Sequence, residues 1–114
     1  MANSAEALRK RFEEELVKFK QLEKDKEKSI ANRQQLEGQL TENNMVKEEF
    51  DFLDEESVVY KLIGPVMVKQ DLNEAKQNVA KRVEYISNEI KRLEETMKDT
   101  ASKQEAQKEA LMKM

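Results

Sequence analysis

Residues 58–69 read VVYKLIGPVMVK. Four valines, a tyrosine, a leucine, an isoleucine and a methionine fall within these twelve residues, and the chain's only proline stands beside one of its two glycines at the centre. Val58, Tyr60 and Leu62 alternate with Val59, Lys61 and Ile63, a period of two that suits a pleated strand. Gly64-Pro65 is turn chemistry: Gly tolerates positive φ, and Pro cannot donate to a central ladder. Val66, Met67 and Val68 then resume the apolar run. The pattern predicts a β-hairpin over 58–69, with Val58, Tyr60, Leu62, Val66 and Val68 as its apolar face.

On the N-terminal side, apolar residues fall at Leu8, Phe12, Leu16, Phe19, Leu22, Ile30, Leu36, Leu40, Val46, Phe50 and Leu53. Most gaps are three or four, which puts one stripe on a helix near the coiled-coil period. This predicts a helix over 4–53, with Asn3 and Ser4 as N-caps. Its middle is weak, because Lys26, Ser29 and Arg33 occupy seam positions and Gly38 costs roughly 1 kcal/mol against Ala. The acid-rich DFLDEES of residues 51–57 opposes the helix macrodipole and ends the helix near Leu53. On the C-terminal side, Asp71 with Glu74 forms a D-x-x-E capping signal. Leu72, Ala75, Val79, Val83, Ile86, Ile90, Leu93 and Met97 follow at the same spacing and predict a second helix over 71–112.

The expected fold is therefore mostly α, in a single domain spanning 1–114. Two long helices, roughly 75 and 60 Å at ~1.5 Å per residue, pair as an antiparallel coiled coil with the hairpin at the connection. Charged residues make up 39% of the chain and apolar ones 38%, a balance that suits solvated helices better than a compact globule. The net charge of −3 leaves no basic footprint for nucleic acid or an anionic membrane. There is no Cys and no His, so disulfides and the commonest metal ligands are excluded. Residues 1–15 (MANSAEALRKRFEEE) show no apolar h-region, no apolar run reaches membrane length and the last residues show no lipidation box, so neither a secretory signal nor a membrane anchor is expected. The expected location is cytoplasmic, with a nuclear pool also open.

Enzymatic chemistry finds no foothold. The sequence lacks a nucleophile elbow, a Walker loop and a G-x-G-x-x-G turn, and the expectation is no enzyme, no cofactor and no metal. Glu13-Glu14-Glu15 point in different directions on a helix and cannot converge on one ion. Asp54-Glu55-Glu56 lack the calcium-loop pattern. Tyr85, next to Ile86, reads as a packing residue.

An isolated two-stranded hairpin is marginal in water, and its open edges and apolar surface are an aggregation hazard. Other chains are expected to supply the missing strands and close a sheet or barrel. The subunit-assembly residues are then Val58, Val59, Tyr60, Leu62, Ile63, Val66, Met67 and Val68.

Residues 39–94 carry the strings QLTEN, VKEE, VYKLIGPV, VKQ and EA, followed by KR and YI ahead of EI. In these strings, and in its helix–hairpin–helix order, the chain resembles the β-type prefoldin subunits. One departure is the short C-terminus, which stops near Met114. The resemblance implies an ATP-independent chaperone subunit in a hetero-hexamer of two α-type and four β-type chains. In such a hexamer the hairpins form a double β-barrel hub and six coiled-coil arms hang from it. The arm tips hold unfolded actin and tubulin and deliver them to the cytosolic chaperonin. The partners would be two α-type and three further β-type subunits. On that basis Leu8, Phe12, Leu16, Leu111, Met112 and Met114 are the client-binding tips, Met being a flexible, polarisable contact suited to many shapes. The alternative is a structural coiled-coil adaptor without chaperone activity, which has no need of a closed β hub. A basic-zipper DNA binder fails on charge, because Arg9-Lys10-Arg11 is followed at once by Glu13-Glu14-Glu15.

Overall fold

The computed structural model describes residues 2–113, with side chains from residue 4 onward. The element order is α1 (Ala2–Asp51), β1 (Val59–Ile63), β2 (Val66–Gln70) and α2 (Leu72–Met112). The helices hold 50 and 41 residues. Two long helices with an antiparallel hairpin between them are thus the fold the sequence predicts.

The helix ends show how the sequence punctuates itself. α1 already runs at Ala2, so Ser4 lies inside it and does not cap it, contrary to expectation; the side chain of Asn3 lies outside those described. Ala2, Ala5, Glu6 and Ala7 are strong helix formers, and propensity carries the helix past the point where the apolar stripe begins. At the other end the Phe52 N–H donates to the Glu49 carbonyl (3.2 Å) and the Leu53 N–H to that of Phe50 (3.2 Å). These i→i−3 bonds tighten the last turn. Asp54 then builds the connection: its Oδ1 accepts from the Glu56 N–H and the Ser57 hydroxyl, both at 3.1 Å. α2 opens as expected, with Asp71 Oδ2 accepting from the Glu74 N–H at 3.1 Å and the Asp71 carbonyl from the Ala75 N–H at 2.9 Å.

The strands pair Val59 with Gln70, Tyr60 with Lys69, Lys61 with Val68, Leu62 with Met67 and Ile63 with Val66. Gly64 sits at φ 57° and no other described residue has positive φ, which is the sign pattern of a two-residue type II′ turn. The register corrects the expected apolar face. Directly opposed residues share a face, so Tyr60 and Leu62 lie with Met67 and Lys69. Val66 and Val68 belong with Val59, Lys61 and Ile63 on the other face. A two-residue turn pairs odd with even positions, so no face is all even. Both faces are therefore largely apolar.

By contacts the chain forms two compact units, Gln35–Ile90 and Met1–Gln34 with Lys91–Met114. In the first unit the buried core is Ala75, Val79 and Ile86 of α2, with Leu36, Leu40 and Phe50 of α1 half-buried. In the second, Leu16, Phe19 and Leu22 of α1 and Leu93, Met97 and Leu111 of α2 are half-buried.

The two glycines make opposite demands. A Cβ built on Gly38, inside α1, meets nothing within 4 Å, and neither does one on Gly64. Only Gly64 occupies the left-handed region. Gly38→Ala is expected to stabilise the chain by about 0.5–1 kcal/mol. Gly64→Ala should destabilise it by roughly 1 kcal/mol. Thermal unfolding of the two variants checks the sign of each; a matching sign would show that turn strain does not set the cost at Gly64.

Candidate functional site

The hairpin is an exposed surface. Val58, Tyr60, Leu62, Ile63, Val66, Met67 and Val68 are all exposed, Leu62 at 70%. Val59 is half-buried, as is its cross-strand partner Gln70. So seven of the eight expected assembly residues stay uncovered in the single chain, and only Val59 leans on it. The edges are open as well. Ile63 and Val66 flank the turn and form its hydrogen-bonded pair, so the outward backbone groups belong to the alternate residues. These are Tyr60 and Leu62 on β1, and Met67 and Lys69 on β2. The residues that offer free backbone groups to an added strand also carry the Leu62–Met67 face.

The expected tip residues fall into two groups. Leu8 (50% exposed), Phe12 (41%) and Met112 (77%) are open to solvent. Leu16 and Leu111 are half-buried and belong to the helix seam. Met114 lies outside the described residues.

Sequence reasoning missed a polar layer next to those tips. Gln104 Nε2 donates to Glu23 Oε2, and Gln107 Nε2 donates to Glu15 Oε2. Gln107 also donates to the Glu15 carbonyl at 3.3 Å. Farther along α1, Arg33, a seam position already marked in the sequence, reaches Glu94 at 2.8 Å. All six residues are half-buried. The apolar stripe of α2 fades after Met97, but the same three-four spacing continues through Thr100, Gln104, Gln107 and Leu111. That continuation was the available signal: a seam can be written in amides and carboxylates as well as in leucines. Polar seam pairs fix register, because a shifted alignment leaves each group without its partner.

The Gln107 amide holds the Glu15 carboxyl below the usual 4.5, against partial desolvation, with Lys18 adding to the effect. The folded value lies below the unfolded one, so this contact stabilises the pairing fully above about pH 4.5 and loses its effect as pH falls through the lowered folded value. Carbon-13 titration of the Glu15 carboxyl should show the depressed midpoint, and Gln107→Ala should move it back toward 4.5. A midpoint that ignores the substitution would exclude the amide as the cause.

The charge triplets form no site. Glu13 pairs with Arg9 at 3.5 Å, while Glu15 turns to Lys18 at 3.4 Å and to Gln107. Asp54 is engaged in its own turn. Among the described residues no group of three or more His, Cys, Asp or Glu is placed to hold a metal. The interhelical grooves are open troughs, such as one of about 420 Å³ lined by Gln39, Asn43, Lys81, Arg82, Tyr85 and Ile86. Tyr85 is 66% exposed on its rim, not packed as expected; it stands next to the buried Ile86, on the solvent side of the stripe. No helix among the described residues is long and apolar enough to cross a membrane.

An unfinished two-stranded sheet between two long helices is the build of a subunit made for assembly. The comparisons agree. The sequence pattern of the prefoldin subunit family matches residues 13–114. The chain is 50% identical over 110 residues to prefoldin subunit 6 of Homo sapiens and of Bos taurus, covering 96% of this chain and 85% of each of those. It is 50% identical over 93 residues to prefoldin subunit 6 of Arabidopsis thaliana, covering 82% of this chain and 72% of that one. The crystal structure of the prefoldin beta subunit from Thermococcus strain KS-1 superposes with a TM-score of 0.82, at 19% identity and 90% coverage of both chains. This chain belongs to the prefoldin subunit family. Prefoldin subunits are non-enzymatic chaperone components that act in a complex with other prefoldin subunits.

Proposed function

We propose that residues 1–114 act as one prefoldin-like domain: a β-type subunit of a hetero-hexamer with two α-type and three further β-type chains. The hairpin closes a β-barrel hub with its neighbours through Val58, Val59, Tyr60, Leu62, Ile63, Val66, Met67 and Val68. The helix pair presents Leu8, Phe12 and Met112 to unfolded chains such as actin and tubulin, with Leu16 and Leu111 behind them and Met114 as a further tip residue. Release is by transfer to the cytosolic chaperonin, and the complex works in the cytoplasm. The observation that carries this reading is the hairpin itself, whose two faces and two edges are left open by its own chain.

The test is a pull-down of the tagged chain from its own cell lysate, with mass spectrometry of the recovered proteins. Five other small coiled-coil chains in near-equal amounts, with traces of actin, tubulin and chaperonin, is the expected result. Recovery of the chain alone, or with one unrelated partner, would favour a coiled-coil adaptor.

A further inference from the structure

Each hairpin face carries one lysine, at a different place. On the Tyr60–Leu62–Met67 face the only charged residue is Lys69, at the end of β2 next to α2. On the other face Lys61 sits at the centre, between Val59 and Ile63 along β1 and opposite Val68. An unpaired ammonium is costly inside a closed barrel. A barrel built from this hairpin therefore turns Tyr60, Leu62 and Met67 inward and leaves the Lys61 face outside. There Ile63 and Val66 are each 55% exposed, and Lys61 has no carboxylate partner among the described residues.

A segment that covers this face must bring apolar surface and negative charge together. The acid-rich segment at the end of α1 is of this kind and adjoins the hairpin. Residues 48–56 (EEFDFLDEE) hold six acids and no base. Phe52 is 89% exposed, the largest exposure of any large apolar side chain described. The Asp54 hydrogen bonds already hold the turn in shape, so little ordering is needed for it to dock. Turn and face belong to one compact unit, yet both are exposed, so they do not cover each other within one chain.

We infer that the Lys61 face is a docking surface for the Phe52 turn of a second copy of this chain. Phe52 packs against Ile63, Val66 and Val68, and Glu55 and Glu56 lie near Lys61. The contact is heterologous, with a different patch on each partner, so repetition gives a ring or an open row. It is a contact of the chain unaccompanied by other subunits, and it rests on the hub reading only for the choice of outer face.

Sedimentation velocity on the purified full-length chain tests it. Self-association should rise with protein concentration and weaken at least tenfold between about 50 and 500 mM salt, as screening predicts. Lys61→Glu should weaken it by a similar factor, and adding Glu55→Lys and Glu56→Lys to that variant should restore it. Tyr60→Asp with Leu62→Asp, which breaks the proposed hub, should leave it intact, and the Lys61→Glu chain should still enter the complex with other subunits. A chain that is monomeric throughout, association unmoved by Lys61→Glu, or a charge swap that restores nothing would each overturn the inference. Association lost in the Tyr60/Leu62 variant but kept in Lys61→Glu would also overturn it, and would leave the hub reading standing.

Discussion

Replacing Tyr60 and Leu62 together by Asp should leave both helices folded and keep the chain out of any complex with other prefoldin subunits. Both residues lie on the face that also carries Met67, and their backbone groups line the open edge of β1. In the free chain Tyr60 is 54% and Leu62 70% exposed, so two carboxylates there disturb little of the monomer. In a closed hub the same positions are covered. Burying an apolar side chain of this size contributes about 1.5–3 kcal/mol, and an unpaired carboxylate in its place adds a desolvation cost of several kcal/mol. The sum exceeds about 4 kcal/mol, or roughly a thousandfold in affinity at 1.4 kcal/mol per decade. Far-UV circular dichroism should be unchanged, and co-purification with the other subunits should fall to background. Full-yield co-purification of the double variant would mean that the hairpin is not the assembly surface.

The parts of the fold that could be read from the chain are those written in local chemistry. The three-four spacing from Leu8 to Phe50 and from Leu72 to Met97 announced both helices, Gly64-Pro65 announced the turn, and Asp71 with Glu74 announced the start of α2. The parts that could not be read so simply depend on pairing. Which hairpin residues share a face follows from the pairs across the turn, and alternation within one strand alone puts Val66 and Val68 on the wrong side. The glutamines at 104 and 107 carry no apolar signal; they become seam residues only when Glu23 and Glu15 stand opposite. The split among the tip residues is of the same kind. Leu8 and Leu16 look alike in the sequence, but a partner helix half-buries Leu16 and leaves Leu8 open.

That split makes the client grip separable from arm stability. Replacing Leu8, Phe12 and Met112 by Ser should weaken capture of unfolded chains with little effect on folding, since all three are exposed. Replacing Leu16 and Leu111 by Ser should instead loosen the helix pairing, because these two are half-buried in the seam. If each exposed side chain buries about half its surface on a client, the loss is about 1 kcal/mol per residue. Three residues then amount to roughly a hundredfold at this arm. In a complex with several arms the remaining tips retain part of the binding, so the whole-complex loss is smaller than the single-arm figure. The readout is suppression of aggregation of denatured actin by complex reconstituted with wild-type or variant chain, set beside the thermal stability of each chain alone. Weakened capture at unchanged stability assigns Leu8, Phe12 and Met112 to the grip. Unchanged capture would move the grip elsewhere, and the Leu16/Leu111 variant then decides where. If that variant loses capture in proportion to its stability, the arm serves as a rigid spacer. If it gains capture, the client binds the seam itself, and the amide–carboxylate pairs at Glu15 and Glu23 hold that seam closed until a client arrives.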